Sequence, residues 1–350
     1  MKQVNLNIDI ESAYKSQVKK SFCWVVCIAI VALILVFVNL CIGSTNVGIY
    51  ELLALLAGSA DTQIQIVFIN LRIPHVLCAV ICGGTLGVCG CILQSCLGNT
   101  LASPSTIGVS QGASCGACIA IIAMSSFFGG SVFGTAAMAF VFAVVPTLLI
   151  FTLSKTGRLG SASIILAGVA MSIFFSGIVA LVEYFADSSK VAEVVFWSFG
   201  SVHNAGYIQL VIMAIVFVLC YIFAQLNWLN YNAMETGDIS AHSIGINVNK
   251  SRVIHMIVAA IGTAIITAFC GTINFVGLLA PHIMRRFVGA NYKMLIPASM
   301  FCGIGVVELS DILSCVILPG VILPIGAITS FIGAPVFIYC ILKRSSAING

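Results

Sequence analysis

The sequence predicts an all-α, polytopic membrane protein, and three observations support that class. Of its 350 residues, 60% are hydrophobic and only 7% are charged, whereas a soluble domain carries about 25% charge. Between Arg72 and Lys155 there is no Asp, Glu, Lys or Arg, and that interval is long enough for about three membrane spans. The apolar runs are long and do not alternate with polar residues, which favours helices over a closed β-barrel.

Ten apolar segments predict ten transmembrane helices. With the N-terminus in the cytoplasm, thirteen of the fifteen Lys and Arg residues fall on the cytoplasmic side and two on the other, as the positive-inside rule expects. Both termini are therefore predicted to be cytoplasmic, in a chain of the cytoplasmic (inner) membrane. Residues 1–21 and 346–350 are predicted as an N-terminal segment and a tail. The ten segments are about 22–42, 74–97, 104–125, 131–153, 161–186, 206–226, 252–270, 274–288, 294–314 and 325–342.

Glycines at a spacing of four residues predict close helix packing. Gly83 and Gly87 form one such pair, and Gly108, Gly112 and Gly116 repeat the spacing twice. Glycines at this spacing form a smooth strip on one helix face, which lets two backbones approach each other.

The longest polar interval between two spans is Asn227–Arg252, hereafter the polar island. Its residues Met234–Ile244 predict a short helix with Thr236 as N-cap, Asp238 near the N-terminus and Gly245 as the C-terminal stop. Such a helix can lie on the membrane surface or dock on a partner. From the residues alone, an ordinary solvated loop is an equally good interpretation.

Several kinds of chemistry have no supporting pattern in the sequence. The dipeptide Gly-Lys does not occur, so there is no Walker A motif and any ATP-driven role requires a separate ATPase. The five histidines are scattered without metal-ligand spacing, and the fifteen cysteines lie mostly in apolar runs, where they are interpreted as small buried hydrophobes. The sequence therefore predicts no enzyme, no cofactor, no metal site and no nucleic-acid partner.

Three acidic residues fall inside predicted spans, where charges are costly and usually functional. These are Glu183, Glu308 and Asp311. They could line a path and couple transport to protons or sodium, or they could cap helix ends near the interface. The first interpretation supports an alternative function, an ion-coupled secondary transporter.

Four groups of motifs, in order along the chain, resemble one family. They run from Leu71-Arg-Ile-Pro-His75 to Ile332-Gly-Ala-Pro335, over about residues 20–345. The sequence is similar to the FecCD/BtuC-type permeases, the membrane subunits of type II ABC importers for iron–siderophore, haem and cobalamin. The other matching stretches are Gly83–Gly90, Leu93-Gln94, Asn99–Pro104, Gly108–Gly112, Trp197, Gly200-Ser201, Gly237-Asp238, Ala241, Gly245, Gly271–Gly277, Pro281-His282, Arg285, Pro297–Ser299, Asp311 and Leu323–Gly326.

The resemblance implies a BtuC-like fold over residues 22–345 and a homodimer with the path at the dimer interface. It also implies two ABC ATPase subunits on the cytoplasmic side and an extracytoplasmic substrate-binding protein on the other. The expected cargo is an iron–siderophore-type chelate, with haem or cobalamin as the alternative.

The resemblance also assigns roles to residues by position. The coupling helix, about 234–245, would seat in a groove of the ATPase. Family members commonly have a second arginine where this chain has His75, so docking of the binding protein falls to Arg72 and His75. The coupling residues are Thr236, Gly237, Asp238, Ala241, His242 and Gly245, and the cytoplasmic gate comprises Asn99, Thr100, Leu101, Ser161 and Ala162.

Overall fold

A computed structural model describes residues 2–42, 50, 54–55, 57–58, 61–128, 131–154, 161–318 and 321–348. Over these ranges all regular structure is helical. Seven helices are long and apolar enough to cross a membrane, and two further apolar helices, Val109–Ala123 and Ile325–Cys340, are shorter. The predicted all-α, polytopic class is therefore confirmed.

The helices are numbered here in chain order. Two short π-helical turns, Phe68–Arg72 and Ile119–Ala123, precede α3 and follow α4. The helices are α1 Lys2–Cys41, α2 Thr62–Val67, α3 Ile73–Cys96, α4 Val109–Cys118, α5 Ser125–Phe128, α6 Val132–Ser154, α7 Ser161–Tyr184, α8 Ser188–Ser198, α9 Tyr207–Leu226, α10 Trp228–Glu235, α11 Asp238–Ser243, α12 Val248–Cys270, α13 Val276–Val288, α14 Tyr292–Val316 and α15 Ile325–Ile348.

Each of the ten predicted segments coincides with one of these helices, but several boundaries differ, the two most informative being at the first and third segments. The first helix begins at Lys2 rather than near residue 22, so the segment predicted to precede it continues the same helix. The helix predicted from residue 104 begins at Val109. Before it, the Thr106 hydroxyl donates to the carbonyl of Ser103 and accepts from its backbone N–H, which holds the chain in a turn.

Helix α3 is the centre of the molecule, packing against α9, α12, α13 and α14. Its glycines allow this. An ideal Cβ on Gly83 would lie 2.8 Å from the carbonyl carbon of Gly303, and one on Gly87 would lie 3.0 Å from that of Ser299. Since the partner number falls as the α3 number rises, α3 and α14 run antiparallel.

A second close contact joins α4 to α6. A Cβ on Gly112 would lie 3.1 Å from the carbonyl carbon of Phe142, and one on Gly116 would lie 2.7 Å from that of Met138. Gly108, the first glycine of this series, instead sits at the N-terminus of α4 with a φ of 86°. The structure thus places all five predicted glycines at contacts between helices, and Gly108 also forms a left-handed turn.

Candidate functional site

The polar island forms two short helices rather than one. Helix α10 ends at Glu235, and α11 begins at Asp238. Between them Gly237 adopts a φ of 105°, a backbone conformation that favours glycine. The predictions of one helix over 234–245 and of Thr236 as its N-cap are therefore wrong. Thr236 follows the end of α10, and its hydroxyl donates to the carbonyl of Ala233.

Polar contacts hold α10 against the turn between α13 and α14. The carboxylate of Glu235 accepts from Arg285 Nη1 at 2.5 Å and from the Tyr292 hydroxyl at 2.9 Å. The side-chain carbonyl of Asn232 accepts from the backbone N–H of Tyr292 at 2.8 Å. Below these contacts lies the buried ring of Tyr231, where burial raises the pKa of the hydroxyl. The first helix of the island is thus fixed to the bundle.

Arg252 joins α11 to the centre of the bundle. Arg252 Nη2 donates to both carboxylate oxygens of Asp238, at 2.8 and 3.0 Å. The Nε of the same side chain donates to the backbone carbonyl of Cys96 at 2.7 Å. Arg252 is buried, whereas the side chain of Asp238 is 58% exposed. This chain of contacts leads from the solvent-facing helix α11 to the last residue of α3.

Helix α11 presents an apolar surface to the outside of the protomer. Ile239 is 88% exposed and Ile244, just after the helix, is 68% exposed, while Ala241 between them is buried. His242 and Gly245 are also exposed. Two exposed isoleucines beside charged and polar groups make a small patch of the kind that a partner groove covers.

Three of the five predicted gate residues, Asn99, Thr100 and Leu101, lie in the loop that follows Cys96, the last residue of α3. The side chain of Asn99 accepts from the backbone N–H of Leu101 at 2.9 Å, which fixes this loop as a turn with Leu101 exposed. The other two predicted gate residues lie at the start of α7, where Ser161 is half-buried and Ala162 is exposed. The loop reaches α7 further along, because a Cβ on Gly168 would lie 2.6 Å from Cα of Ile107.

At the opposite end of α3, the residues predicted to dock a binding protein are buried. Arg72 is 4% exposed and His75 is 7% exposed. Arg72 donates to the backbone carbonyl of Ile42, and His75 Nε2 lies 2.7 Å from Asp311 Oδ2. Neither side chain is on the outer surface of the protomer, so the expectation that both meet a docked protein requires correction.

Two of the three acids singled out in the sequence come together there. Glu308 and Asp311 are fully buried on one face of α14, and Asn39 Nδ2 donates to both, at 2.6 and 2.8 Å. His203, in the loop between α8 and α9, lies 3.2 Å from Asp311 Oδ1. Glu183 is half-buried on α7, elsewhere in the fold.

Known proteins resemble this chain over nearly all of its length. The model of the FecCD transport family matches residues 31–343. An ABC transporter permease protein of Methanocaldococcus jannaschii is 36% identical over 345 residues, covering 96% of this chain and 99% of the relative. The hemin transport system permease protein HmuU of Yersinia pestis is 29% identical, and the match covers 91% of this chain and 96% of HmuU.

A solved structure agrees in fold as well as in sequence. It is an inward-facing conformation of a metal-chelate type ABC transporter, with a TM-score of 0.81 and 28% identity over 91% of this chain and 98% of that one. These likenesses span the island, the glycine contacts and the buried acids alike. The chain therefore belongs to the FecCD transport family and is a multi-pass inner-membrane permease of the ABC importer type.

Proposed function

We propose that the chain is the permease subunit of an ATP-driven importer for an iron–siderophore-type chelate. Two copies would enclose the path, two ABC ATPase subunits would bind on the island side, and a substrate-binding protein would deliver cargo on the other. Both termini would then be cytoplasmic. Haem is the alternative cargo, supported by the likeness to HmuU, and cobalamin is the other cargo class of the family.

The observation that carries the proposal is the connection from the exposed α11 through Arg252 to the end of α3. An ATPase that moves α11 would displace Asp238 and, through it, Arg252. The two are joined by charge-assisted hydrogen bonds, which are among the stronger polar contacts in proteins. The same contacts end at Cys96, three residues before Asn99, the first of the proposed gate residues. Thr100, Leu101, Ser161 and Ala162 complete that gate. Their small, polar or aliphatic side chains would close the path without a charge that traps a cargo.

The proposal is tested by uptake into proteoliposomes that contain the permease, its ATPase and its binding protein. A ferric siderophore, haem and cobalamin are offered separately, with and without ATP inside. We expect ATP-dependent uptake of the ferric chelate and retention of that chelate by the binding protein. Uptake that persists without ATP and collapses with a proton or sodium ionophore would contradict the proposal and favour ion-coupled transport through Glu308 and Asp311.

The exposed patch on α11 gives a prediction about assembly. Changing Ile239 to Glu should weaken binding of the ATPase by at least about tenfold, because burying an isoleucine contributes roughly 1.5–3 kcal/mol and about 1.4 kcal/mol is a factor of ten. Changing Asn249 to Glu is the matched control. Asn249 is exposed in the island, as Ile239 is, but it is already polar, so this change adds the same charge without removing an apolar side chain. Titration of the ATPase onto the permease in nanodiscs measures both dissociation constants. Equal weakening by the two variants would contradict docking on α11.

A further inference from the structure

The buried polar cluster at the end of α3 opposite the island has the composition of a metal site. His75 lies in the first turn of α3, His203 lies in the loop before α9, and Asp311 lies near the end of α14. Their ligand atoms, one from each residue, all lie within 4.8 Å of one another. Asp311 is fully buried and His75 is 7% exposed. The sequence predicts no metal site, because 128 residues separate the two histidines and no spacing pattern links them.

The contacts inside the cluster have the distances of hydrogen bonds but not their directions. His75 Nε2 is 2.7 Å from Asp311 Oδ2, and His203 Nε2 is 3.2 Å from Asp311 Oδ1. Both Nε2 atoms and Oδ1 nevertheless have no hydrogen-bond partner of acceptable geometry. A hydrogen bond requires the N–H to point at the oxygen. The two Nε2 atoms and Oδ1 are therefore buried polar atoms close to one another without hydrogen bonds, and a shared cation would satisfy all three.

The two imidazoles pack against each other. They stack with centroids 3.8 Å apart and planes inclined by 29°, which holds both rings side by side at Asp311. The neutral imidazole is the form that coordinates a metal.

Neighbouring side chains would orient the carboxylate of Asp311. Asn39 donates to Asp311 Oδ2 at 2.8 Å and to Glu308 Oε2 at 2.6 Å, the kind of contact by which second partners fix a metal ligand. Arg72 lies near enough to Asp311 to interact with its charge. Glu308, one turn earlier on α14, adds a second carboxyl group that shares the Asn39 side chain. These contacts fix the carboxylate of Asp311 in place, as a metal ligand requires.

We propose that His75, His203 and Asp311 bind a divalent first-row transition-metal ion. Two imidazoles and one carboxylate suit Zn²⁺ or Fe²⁺ better than Mg²⁺ or Ca²⁺, which prefer sites made of oxygen alone. The ion acts as a structural tie. It joins α3, α14 and the loop before α9, and through Asn39 it also reaches α1. The site is separate from the island and does not depend on which cargo is carried.

The test uses the full-length chain in nanodiscs after treatment with EDTA. Cys23 and Cys27, exposed one turn apart on α1, are first changed to serine to remove a competing thiol pair. Co²⁺ titration is expected to give visible d–d bands for one ion per chain without thiolate charge-transfer absorption. Zn²⁺ in excess should raise Tm by about 4 °C. His282, in α13 outside the cluster, supplies the control variant His282→Gln.

The variants decide the assignment. His75→Gln with His203→Gln should abolish the Co²⁺ bands and the Zn²⁺ shift, while His282→Gln keeps both. Should the double variant fail to fold, His203→Asn alone is the milder test, since that side chain is 21% exposed, and it should weaken Co²⁺ binding by at least about tenfold. Absence of Co²⁺ bands in the parent chain, or equal binding by the parent and the cluster variants, would overturn the proposal.

Discussion

Arg252→Met is expected to separate ATP hydrolysis from transport. In proteoliposomes with the ATPase and the binding protein, we expect cargo uptake per ATP hydrolysed to fall at least about tenfold. Arg252 bonds both to Asp238 on α11 and to the carbonyl of Cys96 at the end of α3. A hydrogen bond to a charged group contributes roughly 1.5–3 kcal/mol, and about 1.4 kcal/mol corresponds to a factor of ten.

The fold should survive this change. Methionine preserves most of the length and apolar volume of the buried arginine stem, and the Asp238 side chain left behind is 58% exposed and can be hydrated. We therefore expect ATP hydrolysis to continue, with Tm within a few degrees of the parent. These two measurements separate a loss of coupling from a loss of structure.

Two further variants make the assignment specific. Lys250→Met removes an exposed positive charge from the same island and should leave the coupling ratio unchanged. Asp238→Asn breaks the same connection at its other end. Adding it to Arg252→Met should therefore cost little more, because contacting residues in one network are not additive. A coupling ratio in Arg252→Met equal to that of Lys250→Met would show that the connection does not transmit motion.

The role of Arg252 could not be predicted from the sequence, although the island itself could. The island stands out because polar residues interrupt apolar runs, and that contrast is local. The partner of Arg252 is a backbone carbonyl 156 residues earlier, and every residue carries a carbonyl. In the sequence Arg252 therefore counts only as one of the positive charges beside a span.

The positions of the spans could be predicted from the sequence, whereas the polar contacts between helices could not. Hydropathy locates the helices because a membrane demands about twenty apolar residues in a row. The clustering of Asn39, His75 and His203 around Asp311 depends instead on the antiparallel packing of α3 with α14 and on the placement of α1. The sequence did place Glu308 and Asp311 on one helix face, since three residues is nearly one turn. It could not show that histidines would face them.

The glycines mark the limit of pattern-based prediction for packing. Gly83 and Gly87 follow the spacing of four residues, and both lie against α14. The tightest approach in α3 is at Gly90, which has neither neighbour at that spacing. Its partner is Gly277, at the start of the short helix α13, and only the tertiary structure brings the two together.

Gly90→Ala should be the most destabilising single methyl group that can be added to α3. An ideal Cβ at this position would lie 2.5 Å from the carbonyl carbon of Gly277 and 2.7 Å from its Cα. Both atoms belong to backbone, so no side chain can rotate away and α3 and α13 must separate. We expect a loss of about 3 kcal/mol, the upper part of the usual range for overpacking, and a Tm lower by roughly 6 °C or more.

Two other glycines turn this prediction into a graded series that thermal unfolding in nanodiscs can measure. A Cβ on Gly84 would lie 2.8 Å from the ring of Phe217, a side chain that can move, so Gly84→Ala should cost less. A Cβ on Gly177, in α7, would meet nothing within 4 Å, and alanine is the better helix former by about 1 kcal/mol. Gly177→Ala should therefore leave Tm unchanged or raise it. If Gly90→Ala unfolds at the same temperature as Gly177→Ala, the backbones of α3 and α13 are not in the close contact on which the packing around α3 depends.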